Sequence, residues 1–174
     1  MDGFRHEARH FFGEVVMTKS WSEWWRSFLG LAGNGYHKTL EILLARYLEL
    51  NWHAARFKAH AEKMQYPQFR EKLLAIAEDE AKYADLLAEQ IKMIGGNLPI
   101  VPPLYEDTEK TSWQYLLDDL NEEQLCSATL IEQAKEVRDE SPPVAEVLER
   151  IYQDSHKHRE ELRDMLMRSD PQSH

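Results

Sequence analysis

Apolar residues recur along most of this chain in alternating steps of three and four, the spacing that lines one face of a helix. Four long segments carry the pattern, at roughly 36–64, 67–94, 112–138 and 142–167. The first seam runs Leu40, Leu43, Tyr47, Leu50, Ala54, Phe57, Ala61, Met64, and the second Phe69, Leu73, Ile76, Glu80, Tyr83, Leu87. The third runs Leu116, Leu120, Glu123, Ser127, Leu130, Ala134, Val137, and the fourth Val144, Leu148, Ile151, Ser155, His158, Leu162, Met165. No segment alternates with period two, so the pattern predicts an all-α fold without a sheet.

Glycine and proline cluster where the seams stop. Short breaks at Gln65-Tyr66-Pro67 and Asp139-Glu140-Ser141-Pro142-Pro143 join the first helix to the second and the third to the fourth, which makes each pair an antiparallel hairpin. A long stretch from Gly95-Gly96-Asn97-Leu98-Pro99 through Pro102-Pro103 to about Thr111 joins the hairpins as a crossover. An internal repeat supports the duplication: a shift of 75 positions lays Pro67 on Pro142, Leu73 on Leu148, Asp79 on Asp154, Glu80 on Ser155, Tyr83 on His158 and Leu87 on Leu162. Both prolines fall where the first turn of a helix tolerates them.

Composition narrows the picture. A chain of 174 residues suits one domain with a real core. The net charge of -10 argues against nucleic acid or an anionic membrane as the main partner. Cys126 is the only cysteine, so an internal disulfide and a cysteine-rich zinc site are both excluded. With no signal-like leader and no apolar run of membrane length, the expectation is a cytoplasmic protein without a membrane span.

The chemistry lies in polar residues on the seams: Glu80, Tyr83, Glu123, Ser155 and His158. Glu80 with Tyr83, and Ser155 with His158, are i, i+3 pairs, so each pair projects from one helix face. An ionised glutamate buried without a partner is costly. A hard divalent cation would satisfy two carboxylates and an imidazole together. Without one, Glu80 is expected to be protonated and to donate to Glu123 or Tyr83, with His158 paired to a carboxylate.

These strings, ARFKAHA, AEDEAKYADLL and ERIYQDSHKHREEL, with Glu123 in DLNEEQ, resemble the ferritin-like di-iron carboxylate group of bacterioferritins and rubrerythrins over about residues 40–166. The resemblance implies an antiparallel four-helix bundle in which each hairpin gives one Glu from its first helix and Glu-x-x-His from its second. Carried over position by position, it makes Glu80, Glu123 and His158 metal ligands. Tyr83 stands in place of a His, Ser155 in place of a bridging Glu, and Leu50 in place of the first helix's Glu. Glu49, His53 and Tyr83 are further candidates, with Tyr83 able to donate to Glu80. The reduced set implies one iron, with manganese or zinc as alternatives, and oxidation of Fe(II) or reduction of peroxide. No cysteine pairs of the rubredoxin type are present. The competing expectation is a metal-free bundle that works by association.

Two features lie outside this frame. His6-Glu7-Ala8-Arg9-His10 matches H-E-x-x-H, but no strands precede it to frame a cleft, which argues against a metalloprotease. Residues 1–36 hold 8 of the 18 aromatic residues, too many to leave in water. They predict an N-terminal helical extension over 1–35 that packs on the bundle, 36–168, or on a second copy, with a homodimer expected and a disordered tail at 169–174.

Overall fold

The computed structural model describes residues 38–104 and 110–169. Five helices run through them: α1, Lys38–Lys63; α2, Pro67–Met93; α3, Ser112–Ser127; α4, Leu130–Val137; and α5, Pro142–Arg168. There is no strand among the described residues. α2 packs along α1, α5 packs along α3 and α4, and α2 against α5 joins the two hairpins. With α3 and α4 together filling the third place, this is the expected four-helix bundle with one long crossover. The N-terminal extension, its H-E-x-x-H string and residues 170–174 of the tail lie outside the described residues.

Local chemistry sets the helix ends. α2 and α5 begin on Pro67 and Pro142, whose missing N–H groups cost nothing in a first turn. α3 starts with a capping box: Gln114 N–H donates to Thr111 Oγ1 at 3.2 Å, and Thr111 N–H donates to Gln114 Oε1 at 2.8 Å. α2 ends in a Schellman turn, with Gly95 at φ +82°, Gly96 N–H on the Ile91 carbonyl at 2.8 Å and Gly95 N–H on Lys92 at 3.0 Å. A Cβ on Gly96 would lie 2.6 Å from Leu40 Cδ1, so the glycine lets the crossover leave α2 against α1.

The third helix departs from expectation. The spacing predicts one helix over 112–138; two are found, parted at Ala128 and Thr129. Arg46 of α1 reaches into the break. Its guanidinium donates to the Cys126 carbonyl at 2.7 Å, to the Thr129 hydroxyl and to Gln133 Oε1 at 2.7 Å. A side chain that captures a helical carbonyl is a known cause of such interruptions.

The core is two apolar clusters with a polar layer between. Leu43, Leu87, Leu130, Leu148 and Ile151 anchor one, and Phe57, Leu73, Leu116 and Leu162 anchor the other. Burying each such side chain stabilises the fold by about 1.5–3 kcal/mol. The seam residues Glu80, Glu123, Ser155 and His158 are all buried as their spacing predicts.

Candidate metal centre

The polar layer brings the three principal sequence candidates to one place. Glu80 comes from α2, Glu123 from α3 and His158 from α5, each at most 5% exposed. One ligand atom from each lies within 4.8 Å of the others. His158 Nδ1 is 3.3 Å from Glu80 Oε1 and 3.9 Å from Glu123 Oε1. Its other nitrogen, Nε2, faces Asp79 Oδ2 at 3.6 Å. His53 joins them from α1, with Nδ1 3.7 Å from Glu80 Oε2 and 3.7 Å from Glu123 Oε2.

Charge is unevenly shared here. Burial and the adjacent Glu80 charge push Glu123 up to about 7, against the pull of both imidazoles. Burial also opposes the charge on Glu80, yet His158 and His53 outweigh it and hold Glu80 below the usual carboxylate range. This corrects the expectation that Glu80 would be the protonated acid: it has two imidazoles against it, and Glu123 takes that role. Burial disfavours a charged His53, but Glu80, Glu123 and Glu49 together raise it to about 9. His158 is likewise raised, burial being overcome by Glu80, Glu123 and Asp79.

The secondary candidates divide. Tyr83 does not donate to Glu80: its hydroxyl crosses to Asp154 of α5 at 2.5 Å, which uses its only donor. Burial and that carboxylate push the Tyr83 phenol upward. Glu49 is buried and lines the same cavity as His53, Glu80 and Glu123, but it is ion-paired with Arg46. Leu50 and Ser155 also line that cavity, and the Ser155 hydroxyl serves Glu123.

Four buried groups around the layer are not among the site residues that the sequence suggests: Arg46, His60, Asp119 and Cys126. Asp119 receives Arg56 Nε at 3.0 Å and stands 2.8 Å from His60 Nδ1. Cys126 Sγ lies 3.4 Å from His53 Nε2 and 3.7 Å from Glu122 Oε1. Burial and the charges of Glu49 and Glu122 push its thiol well up. The signal for these groups is helical spacing from site residues: 46, 49, 53, 57 and 60 on one helix, and 119, 123 and 126 on another, advance by threes and fours.

One observation tests whether a cation fits. His158 Nδ1 is buried and makes no hydrogen bond, although two carboxylates face it. Nitrogen and oxygen ligands on one divalent ion, each about 2.1 Å from it, stand about 3.0–3.4 Å apart. The 3.3 Å between His158 and Glu80 falls in that range, and the 3.9 Å to Glu123 closes with a small side-chain movement. The donor set fits a divalent cation.

Two buried acids and two imidazoles within a bundle of two crossover-linked hairpins define a helical-bundle protein with a carboxylate–imidazole core. The chain belongs to the ferritin-like family: the family model described as Ferritin-like domain matches residues 37–169. No curated protein matches the chain. None of the helices among the described residues is long and apolar enough to cross a membrane.

Proposed function

We propose that this ferritin-like bundle binds one divalent cation, iron first and manganese or zinc as alternatives, through Glu80, Glu123 and His158, for redox or oxygen-handling chemistry. The observation that carries the reading is the His158 Nδ1 atom, buried without a hydrogen bond and turned toward two carboxylates. Asp79 beside Nε2 favours the tautomer that keeps the proton there and leaves the Nδ1 lone pair for a metal. Glu80 and Glu123 also line a small interior cavity, together with Glu49, His53 and Ser155. A second ion lacks a bridging carboxylate at Ser155 and finds Glu49 already held by Arg46. A bound iron would supply Lewis acidity and one-electron redox chemistry. The apolar clusters on both sides keep bulk water from the layer.

Metal analysis of protein purified without chelator tests the proposal. The expected result is about one Fe, Mn or Zn per chain, lost together with stability in a Glu123→Ala, His158→Ala double variant. A parent that holds none of the three, with a double variant more stable than the parent, overturns it.

One observation favours a second reading. His53 stands 3.7 Å from both carboxylates and is raised to about 9, so an imidazolium can itself balance the buried charge. On that reading the bundle has given up its metal and acts by association, as a cytoplasmic homodimer whose aromatic N-terminal segment, 1–35, makes the contact. Removing that segment would then abolish dimers in light scattering, and a dimer that survives the deletion counts against it.

A further inference from the structure

We infer a second metal site, for a thiophilic divalent cation such as Zn(II), formed by His53, Glu122 and Cys126. It shares no ligand atom with the proposed iron site and stands or falls apart from it. One ligand atom from each of the three residues lies within 4.8 Å of the others. His53 Nε2 is 3.4 Å from Cys126 Sγ, and Cys126 Sγ is 3.7 Å from Glu122 Oε1. On a tetrahedral ion with Zn–N about 2.05 Å, Zn–O about 2.1 Å and Zn–S about 2.3 Å, neighbouring ligand atoms stand about 3.6 Å apart. Both separations are close to that value before any metal-driven adjustment.

The backbone explains the convergence. Glu122 and Cys126 are four apart on α3 and share one face, and His53 meets them from α1. His53 is oriented for the role by its other nitrogen. Nδ1 faces Glu80 Oε2 and Glu123 Oε2 at 3.7 Å each, so a proton there points at two carboxylates and leaves the Nε2 lone pair toward the sulfur. A ligating histidine steadied by a carboxylate on its far side is the usual arrangement in metal sites. Both His53 and Cys126 line the interior cavity, whereas Glu122 is only half-buried and gives an ion a way in from solvent. One sulfur, one imidazole and one carboxylate suit zinc, in contrast to the oxygen-rich set one turn away. Binding releases the thiol proton and the Nε2 proton of the His53 imidazolium to solvent, and the thiolate and carboxylate then neutralise the dication.

Cobalt(II) titration of the full chain, read by sulfur-to-cobalt charge-transfer absorption, tests the site. The parent is expected to show the band, and Cys126→Ser and Cys126→Ala to lack it while keeping the helical circular dichroism and the iron content of the parent. Glu122→Gln, at a half-exposed position that tolerates change, is expected to weaken cobalt binding by at least about tenfold, the lower end of what loss of even an outer partner costs. No band at saturating cobalt in the parent, a band that survives Cys126→Ser, or unchanged affinity in Glu122→Gln each overturns the assignment. If the parent shows the band but loses no Fe, Mn or Zn on Glu123→Ala, His158→Ala substitution, the first proposal fails and this one stands.

Discussion

α2 and α5 are related by a shift of 75 residues, yet they bring different chemistry to the same depth of the core. The shift sets Asp79 on Asp154 and Tyr83 on His158, and the structure crosses these pairs over. Tyr83 of α2 donates to Asp154 of α5 at 2.5 Å, while His158 of α5 faces Asp79 of α2 at 3.6 Å. The scaffold therefore repeats a contact between its two halves, and the residue type decides what that contact does. A phenol has one proton to donate, and once that proton is on Asp154 it offers the core no further donor. An imidazole has two nitrogens, so His158 can meet Asp79 with one and turn the other on Glu80 and Glu123. The same fold position closes an interface in one hairpin and, in the proposed site, leaves a nitrogen free to ligate in the other.

The sharpest way to test this asymmetry is at the next equivalent pair, Glu80 and Ser155. Glu80 is the counterion for two buried imidazoles, His53 at 3.7 Å and His158 at 3.3 Å. Removing one partner from a buried charge cluster strands the others, so Glu80→Ala should cost about 3 kcal/mol at neutral pH. Ser155→Ala removes one hydroxyl from Glu123 and should cost about 1 kcal/mol. Urea unfolding of the metal-free variants measures both. Equal losses would mean that the two helices are energetically alike and that the charge cluster carries no special weight.

The protonation pattern gives the next effect, and its sign depends on whether a metal is bound. Glu123 is raised from 4.5 to about 7, so the folded state holds its proton more tightly. That stabilisation is complete below about pH 4.5 and is gone once pH has risen past 7. His53, raised from 6.5 to about 9, contributes stability that is complete below pH 6.5 and is lost as pH rises through 9. Glu80, lowered from 4.5, acts the other way: its contribution is present above that value and is lost as pH falls through its folded pKa. The metal-free protein should therefore lose stability steadily from about pH 5 to pH 9. A bound cation competes with these protons, so the metal-loaded protein should gain stability over the same range. Thermal melts with and without chelator separate the two, and parallel curves would count against a cation in this layer.

The bundle is legible in the sequence because burial is periodic. Every residue on the third and fourth seams is buried, including Glu123, Ser155 and His158, since a helix face that must be covered writes its spacing into the chain. The break between α3 and α4 is not legible, because its cause is Arg46, more than eighty residues away on another helix. A single seam describes the face of α1 too narrowly. It takes in Leu50 and leaves out Arg46, Glu49 and His53, at i−4, i−1 and i+3 from it, yet all four reach the interior. A stripe wide enough to touch two neighbouring helices includes these flanking positions as well. Spacing sets Tyr83 at the correct depth but points to the wrong partner, since periodicity along one helix says nothing about which acid lies opposite.

The smallest effects return to the crossed pairs and distinguish a contact that holds the halves together from one that tunes a ligand. Tyr83→Phe removes a hydrogen bond to a carboxylate that solvent can partly reach once the phenol is gone, so the loss should be about 1 kcal/mol. Cation content should not change, because the Tyr83 hydroxyl donates to Asp154 and to neither of the proposed ligand carboxylates. Asp79→Asn should do the reverse. Asp79 is half-exposed and 3.6 Å from His158 Nε2, so its amide costs little stability. The amide is a weaker acceptor for the Nε2 proton, however, and the Nδ1 lone pair becomes less basic, which should lower cation affinity by about tenfold. Competition against a calibrated chelator reads the affinity, and urea unfolding reads the stability. If Tyr83→Phe lowers affinity and Asp79→Asn does not, the ligand side of the bundle has been assigned to the wrong helix.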